Sequence, residues 1–308
     1  MAMDIETWRA LGLDRAPPRA LNGRDGSEFP ASLDHPADRV YHPCPEAWPR
    51  EGVVEGEVRV HRDWNGGGVY PETVRDLFVY RTPGLDPTKA ARLVVFNAGV
   101  AYLSRKGPVR AGRVLDSLFA TGEIAATVAV FLNPGRPPTA APGSPEAIHQ
   151  RMIEYDTLTP AFGAYLVESV LPFVESAEGL RLTDDPAHRT VCGISSGGIC
   201  AFNAAWHFPD QFGRVLSHCG SFTNIRGGHN YSYLVRGTER KPIRVLLQSG
   251  EQDLVSSYGD WPLANREMAN ALAFAGYDVR FEFGVGGHTL RQGGAIFADS
   301  LRWLWRET

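Results

Sequence analysis

The sequence predicts an α/β fold with a mostly parallel central sheet and helices on both faces. Three observations carry that expectation. Short apolar runs recur without alternation at residues 93–96, 126–132, 190–193, 215–217, 245–247 and 279–283. Such runs suit strands that are covered on both sides, as central parallel strands are. Helical stretches lie between them, and strands alternating with helices assemble into one layered sheet. Finally, Gly193-Ile194-Ser195-Ser196-Gly197 stands where an apolar run meets a small-residue helical stretch. Glycines two before and two after the serine let strand and helix approach closely.

Taken along the chain, the first fifty residues stand apart. They hold Pro17, Pro18, Pro30, Pro36, Pro43, Pro45 and Pro49, seven of the 22 prolines, and little periodicity. Residues 4–11 read as a short helix capped by Asp4. The rest of 1–52 reads as an irregular arm, with Phe29, Tyr41 and Trp48 asking for burial. Its expected host is the carboxyl edge of the sheet or a neighbouring subunit, where it would shape the substrate entrance; covering an edge strand is the alternative. Residues 53–308 form the main domain. Residues 58–61 and 73–80 alternate like an antiparallel opening pair around the turn Asn65-Gly66-Gly67-Gly68. Helices are expected at 110–120, 159–175, 198–207, 263–275, which stops at Gly276, and 295–305.

Composition narrows the function classes. An apolar share of 43% and a charged share of 21% in 308 residues are ordinary globular values. Net charge is −4 without a basic block, which speaks against a nucleic-acid surface. No apolar run nears the ~20 residues that cross a bilayer. The start, Met1-Ala2-Met3-Asp4-Ile5-Glu6, lacks the basic and apolar regions of a signal peptide. Cys44, Cys192, Cys200 and Cys219 show no zinc-ligand spacing, and Cys192 and Cys200 fall in buried elements. These features predict a reduced, cytoplasmic protein acting on a small molecule, with no metal or cofactor.

A serine nucleophile needs a base, and the base needs an orienting acid. In α/β-hydrolases the chain order is Ser, then Asp or Glu, then His, with the serine on a sharp strand-to-helix turn. Ser195 fits that place. Downstream, His207 ends the nucleophile helix, His218 follows a strand, and His229 lies in a nearby loop. His288, in Gly286-Gly287-His288 after the last strand, sits where a loop delivers the base. The acid is expected at Asp253, after the strand at 245–247, with Glu251 the close rival and Asp260 a distant third. An oxyanion hole needs two backbone N–H groups. Ser196 supplies one. The loop Asn97-Ala98-Gly99-Val100-Ala101 supplies the other, with Val100 the preferred donor, Gly99 or Ala101 as alternatives, and Gly99 expected to take an unusual backbone angle. Tyr102 and Trp261 are candidate apolar walls of a substrate site, and Arg226 a partner for an acidic or hydroxylated group.

The stretch Gly193-Ile194-Ser195-Ser196-Gly197-Gly198, continued by Ala205-Trp206-His207-Phe208-Pro209-Asp210-Gln211-Phe212 and Gly220-Ser221-Phe222, resembles the putative esterase family. That family includes enterochelin (ferric enterobactin) esterases, esterase D and feruloyl-type esterases. Tyr155-Asp156, Leu171-Pro172, Gly276-Tyr277-Asp278 and Trp303-Leu304-Trp305 agree, so the resemblance spans roughly residues 53–306. It implies an α/β-hydrolase fold and a carboxylic ester hydrolase with Ser195 as nucleophile, Asp253 as acid and His288 as base. Asn97-Ala98-Gly99 departs from the Asp-Gly that related chains often carry, which leaves the identity of the first oxyanion donor open. The arm is short beside the N-terminal lid domain of the siderophore esterases. Acyl transfer through the same triad is the second functional class, and a non-catalytic binding protein on this scaffold the third.

Overall fold

The computed structural model describes residues 35–307. The helix expected at 4–11, and Phe29, lie outside them. The opening strands β1 (Glu57–Trp64) and β2 (Arg75–Arg81) pair antiparallel, Val58 opposite Tyr80. They are followed by β3 (Ala90–Asn97), β4 (Thr127–Leu132), the short β5 (Arg181–Leu182), β6 (Arg189–Ile194), β7 (Arg214–His218) and β8 (Arg244–Gln252). A small ribbon of β9 (Val255–Ser256) and β10 (Gly259–Asp260) precedes the last strand, β11 (Asp278–Gly287). The strand order is β1-β2-β4-β3-β6-β7-β8-β11, with β5 added beside β3. Every pair from β4 to β11 along that path is parallel. The expectation of a mostly parallel sheet behind an antiparallel opening pair holds.

Side chains that alternate along a strand point to opposite faces. Val95, Val191, Val215 and Leu247 therefore join one core with Phe162 and Phe202 from the covering helices. Their neighbours Phe96, Cys192, Leu216 and Leu246 join a second core with Val114, Leu118, Phe297 and Leu301. Both faces are covered, which is why the strand sequences read as unbroken apolar runs.

The strand order reverses between β3 and β6. In open α/β sheets the crevice at such a reversal, beyond the carboxyl ends of the strands, is where ligands bind. The loop after β3 and the serine after β6 flank it.

Several helices differ from expectation. The helix expected at 159–175 is Ala161–Tyr165, a π-helical stretch Leu166–Val170 and Leu171–Glu178. Pro172 has no N–H to continue the ladder, and a widened turn before it relieves the missing bond. Helices Pro145–Asp156 and Tyr231–Gly237 were not foreseen. The terminal helix is divided into Arg291–Ala295 and Phe297–Leu304. Among the described residues no single helix is long and apolar enough to cross a membrane.

The described part of the arm carries two 3₁₀ turns, Pro36–Val40 and Pro45–Ala47. It packs on the carboxyl end of β11, at an edge of the sheet. Asp38, buried, accepts the Gly287 N–H at 3.1 Å, and the Tyr41 hydroxyl accepts the Val285 N–H at 3.0 Å. Trp48 is 49% exposed, contrary to the expected burial, and lies against the Arg110 guanidinium instead.

Candidate active site

Ser195 lies between β6 and the helix Ser196–His207, with φ 59° and ψ −125°. That is a left-handed φ for a residue with a side chain, a strained conformation that surroundings must enforce. They do so here. A Cβ on Gly193 would lie 2.2 Å from the Gly197 carbonyl oxygen, so strand and helix meet too closely for any side chain there. The Ser195 N–H donates to the His218 carbonyl at 2.9 Å, and its carbonyl accepts from Ser221 N–H at 3.1 Å. The Asn97 side chain, fully buried at the end of β3, donates to the Gly197 carbonyl at 3.2 Å and ties the neighbouring loop to the turn.

His288 follows the last residue of β11, and Asp253 follows the end of the adjacent β8. His288 Nδ1 and Asp253 Oδ1 are 2.5 Å apart, both side chains being nearly inaccessible. Asp253 Oδ2 accepts from Ser249 Oγ at 2.6 Å, and Oδ1 accepts the Leu254 N–H at 2.8 Å. Burial pushes this carboxyl up. The His288 ring and the three hydrogen bonds outweigh it and hold the group below its ordinary value. Asp253 is therefore the carboxylate in contact with the histidine. Glu251 is exposed, and Asp260 instead caps the helix Trp261–Phe274 by accepting the Leu263 N–H at 2.9 Å.

Ser195 Oγ lies 3.3 Å from Ser221 Oγ, which accepts from Trp261 Nε1 at 3.2 Å. The Trp261 ring meets His288 edge to face, with centroids 5.9 Å apart. The Ser195 turn and His288 are thus linked through Ser221 and Trp261. Trp261 is buried and supports the histidine from beside it, rather than forming an open wall. Ser221 and Asn97 fall within longer segments that the sequence singles out, but a contact of either at the Ser195 turn is not legible there, because neither pairing is local in sequence.

Other expected residues sort differently. Tyr102 is fully buried, and its hydroxyl pairs with His218 Nδ1 at 2.8 Å, so it belongs to the core and not to a ligand surface. His218 has its pKa pushed down to about 3 by burial, and a neutral ring is expected there. His229 is exposed in the turn Gly228–Asn230. Arg226 Nε donates to Thr157 Oγ1 at 2.8 Å and is half-buried. In the oxyanion loop the unusual angle falls on Ala98, with φ 57°, while Gly99 has φ −64°. Gly99 is required for space: a Cβ would lie 2.4 Å from that of Phe131. Its N–H points to the Leu132 carbonyl at 3.4 Å. Val100 opens the helix Val100–Leu103, where first-turn N–H groups have no helical partner.

Beside the crevice lies a cavity of about 520 Å³, walled in part by Asn133, Arg136, Ile148, Arg151, Ile225 and Tyr258. It reaches the nucleophile turn through Arg151, whose Nη2 donates to Ser196 Oγ at 3.3 Å. One grouping among the described residues has metal-ligand character: Cys219, Asp253 and His288 bring ligand atoms within 4.8 Å of one another. The His288 Nδ1 and Asp253 of that set already pair with each other.

The profile of the family described as "Putative esterase" matches residues 79–288. Iron(III) enterobactin esterase of Dickeya dadantii is 29% identical over 168 residues, 47% of this chain and 35% of that protein. The chain thus matches about a third of that relative's length. Enterochelin esterase of Shigella flexneri superposes with a TM-score of 0.63 at 20% identity, over 98% of this chain and 71% of that one. A ferulic acid esterase of the anaerobic fungus Anaeromyces mucronatus gives 0.62 at 17% identity, over 89% and 97%. These likenesses share the α/β fold described above, and the family profile covers the sheet from β2 to the histidine after β11. The chain belongs to the putative esterase family.

Proposed function

We propose that the protein hydrolyses a carboxylic ester through an acyl-enzyme on Ser195. The observation that carries this reading is the His288–Asp253 pair at 2.5 Å, delivered to the same sheet edge as a serine with a left-handed backbone. In the reaction, Ser195 Oγ attacks the ester carbonyl and its proton passes to His288 Nε2. Asp253 stays ionised and stabilises the imidazolium through Nδ1. The tetrahedral oxyanion accepts from the N–H groups of Ser196 and Val100. Collapse breaks the ester C–O bond, and the leaving alkoxide takes the proton from His288. Water, deprotonated by the same histidine, then releases the acid and restores Ser195.

The substrate reading is enterochelin esterase-like. Relatives are named for enterobactin and for ferulic acid, and one enterobactin esterase structure was determined in the presence of 2,3-dihydroxy-N-benzoyl-serine. The 520 Å³ cavity can take a hydroxylated aromatic group, with Arg136 and Arg151 beside Ile148 and Tyr258. A fluorophosphonate probe tests the chemistry: it should label wild type at Ser195 and leave Ser195→Ala unlabelled. Comparison of kcat/KM on p-nitrophenyl, feruloyl, acetyl-sugar and trilactone esters tests the substrate. Labelling of Ser195→Ala equal to wild type would remove the reading.

A further inference from the structure

Asp156 is the last residue of the helix Pro145–Asp156, only 2% exposed. A helix carboxyl end carries partial negative charge and disfavours a carboxylate. Neither carboxylate oxygen completes a hydrogen bond of normal geometry, and Arg151 Nε one turn earlier is also buried without one. Buried polar groups without direct protein partners are costly and call for an explanation. What surrounds Asp156 is the nucleophile turn. Arg151 lies on the same helix, and its Nη2 donates to Ser196 Oγ at 3.3 Å. Ser196 comes from the helix packed against it, and Arg226 from the loop after β7. Tyr258 faces it from the β9–β10 ribbon and Cys200 from the next turn of the nucleophile helix.

We propose that Asp156 is a positioning residue for the oxyanion donor, its carboxylate acting through the Ser196 hydroxyl and the Arg151 guanidinium to fix the first turn of the nucleophile helix. Ser196 is the residue whose N–H would meet the oxyanion, so this rests on the reading of Ser195 as nucleophile. Its hydroxyl accepts from Arg151 at 3.3 Å, and Asp156 interacts with both groups. Held by the guanidinium and drawn towards the carboxylate, the Ser196 side chain ties the first turn of its helix to the helix Pro145–Asp156. Neither Asp156 nor Arg151 touches the reacting atoms.

The electrostatics separate this role from a structural one. Burial pushes the Asp156 carboxyl from 3.8 up to about 6, against the pull of Arg151, the Ser196 hydroxyl and Arg226. A carboxyl whose folded value is raised destabilises the folded state when ionised. That penalty is full above about pH 6 and fades as the pH falls from there to 3.8. Removing the charge should therefore help folding at neutral pH and harm turnover.

The test measures p-nitrophenyl acetate turnover and thermal melting at pH 7.5 for wild type, Asp156→Asn, Ser196→Ala and Ser195→Ala. Asp156→Asn should lower kcat by about tenfold, less than the roughly 10²–10³ of a deleted oxyanion donor. KM should stay within about twofold and Tm should equal or exceed wild type, with the Tm gain shrinking below pH 6. Ser196→Ala keeps the amide and should lower kcat similarly. Wild-type kcat in Asp156→Asn, or a kcat loss that only follows a fall in Tm, overturns the proposal. Should Asp156→Asn not fold, full kcat in Ser196→Ala overturns it alone. Retained turnover in Ser195→Ala would instead refute the nucleophile assignment.

Discussion

The nucleophile turn and the histidine loop rest on different foundations. Ser195 rises from β6, whose strand core is buried with β3 and β7 on either side. Its strained backbone is enforced by Gly193 and Asn97, at the ends of two central strands, and by Gly197 in the first turn of the helix that follows. His288 follows β11, an edge strand left half-buried along most of its length. What holds its loop comes from far away in sequence: Asp38 and Tyr41 bind the backbone at 285–287. The centre of a sheet can enforce geometry through packing alone. An edge must borrow partners, and those partners become points where activity can be lost without loss of the fold.

The sharpest test of the central side is removal of the nucleophile. Ser195→Ala should fold as wild type and lose on the order of 10⁴- to 10⁶-fold in kcat, read by ester hydrolysis. On the edge side, Asp253→Asn should cost on the order of 10³- to 10⁴-fold in kcat, while Glu251→Gln stays near wild type. The reverse result would move the acid to Glu251. A smaller effect probes the borrowed partner. Asp38→Ala removes the acceptor of the Gly287 N–H and should cost about tenfold in kcat on small and bulky esters alike, because it loosens the base and not the pocket. A loss confined to KM for the bulky ester would return the arm to the entrance role expected from its sequence. A last effect, on stability rather than turnover, belongs to the central side. His218 is held neutral with a pKa of about 3, so folding loses stability as the pH falls from about 6.5 towards 3. The contribution is about 1.4 kcal/mol per pH unit, and urea melts of His218→Gln should lack it.

Much of this was legible in the sequence, and the exceptions share a cause. The central strands were readable because both their faces meet helices, which removes the polar alternation that would confuse them. The places of Ser195, Asp253 and His288 just past strand ends are legible because each follows an apolar run, and Asp253 and His288 do meet. The helix Pro145–Asp156 was not, because it buries His149, Glu154, Tyr155 and Asp156 together. Charged groups satisfied across space look, in sequence, like a solvated loop. Glu154 is one such case: it holds the buried Arg75 at 2.7 Å, across 79 residues. Tyr102 was misplaced because the first turn after β3 directs it inward to His218, and an aromatic near a loop carries no sign of which way it faces. The positive φ fell on Ala98 rather than Gly99 because Gly99 answers a need for space against Phe131, not a need for conformational freedom.

The contact between Asp38 and Gly287 spans 249 residues. Closing so long a loop early in folding carries an entropic cost that grows with the logarithm of its length, and distant pairings slow the search for the native state. On a ribosome, Asp38 emerges 249 residues before its partner. The strands that carry the serine can pair before then. The loop that carries His288 is therefore tied down after the strands that carry Ser195 can pair.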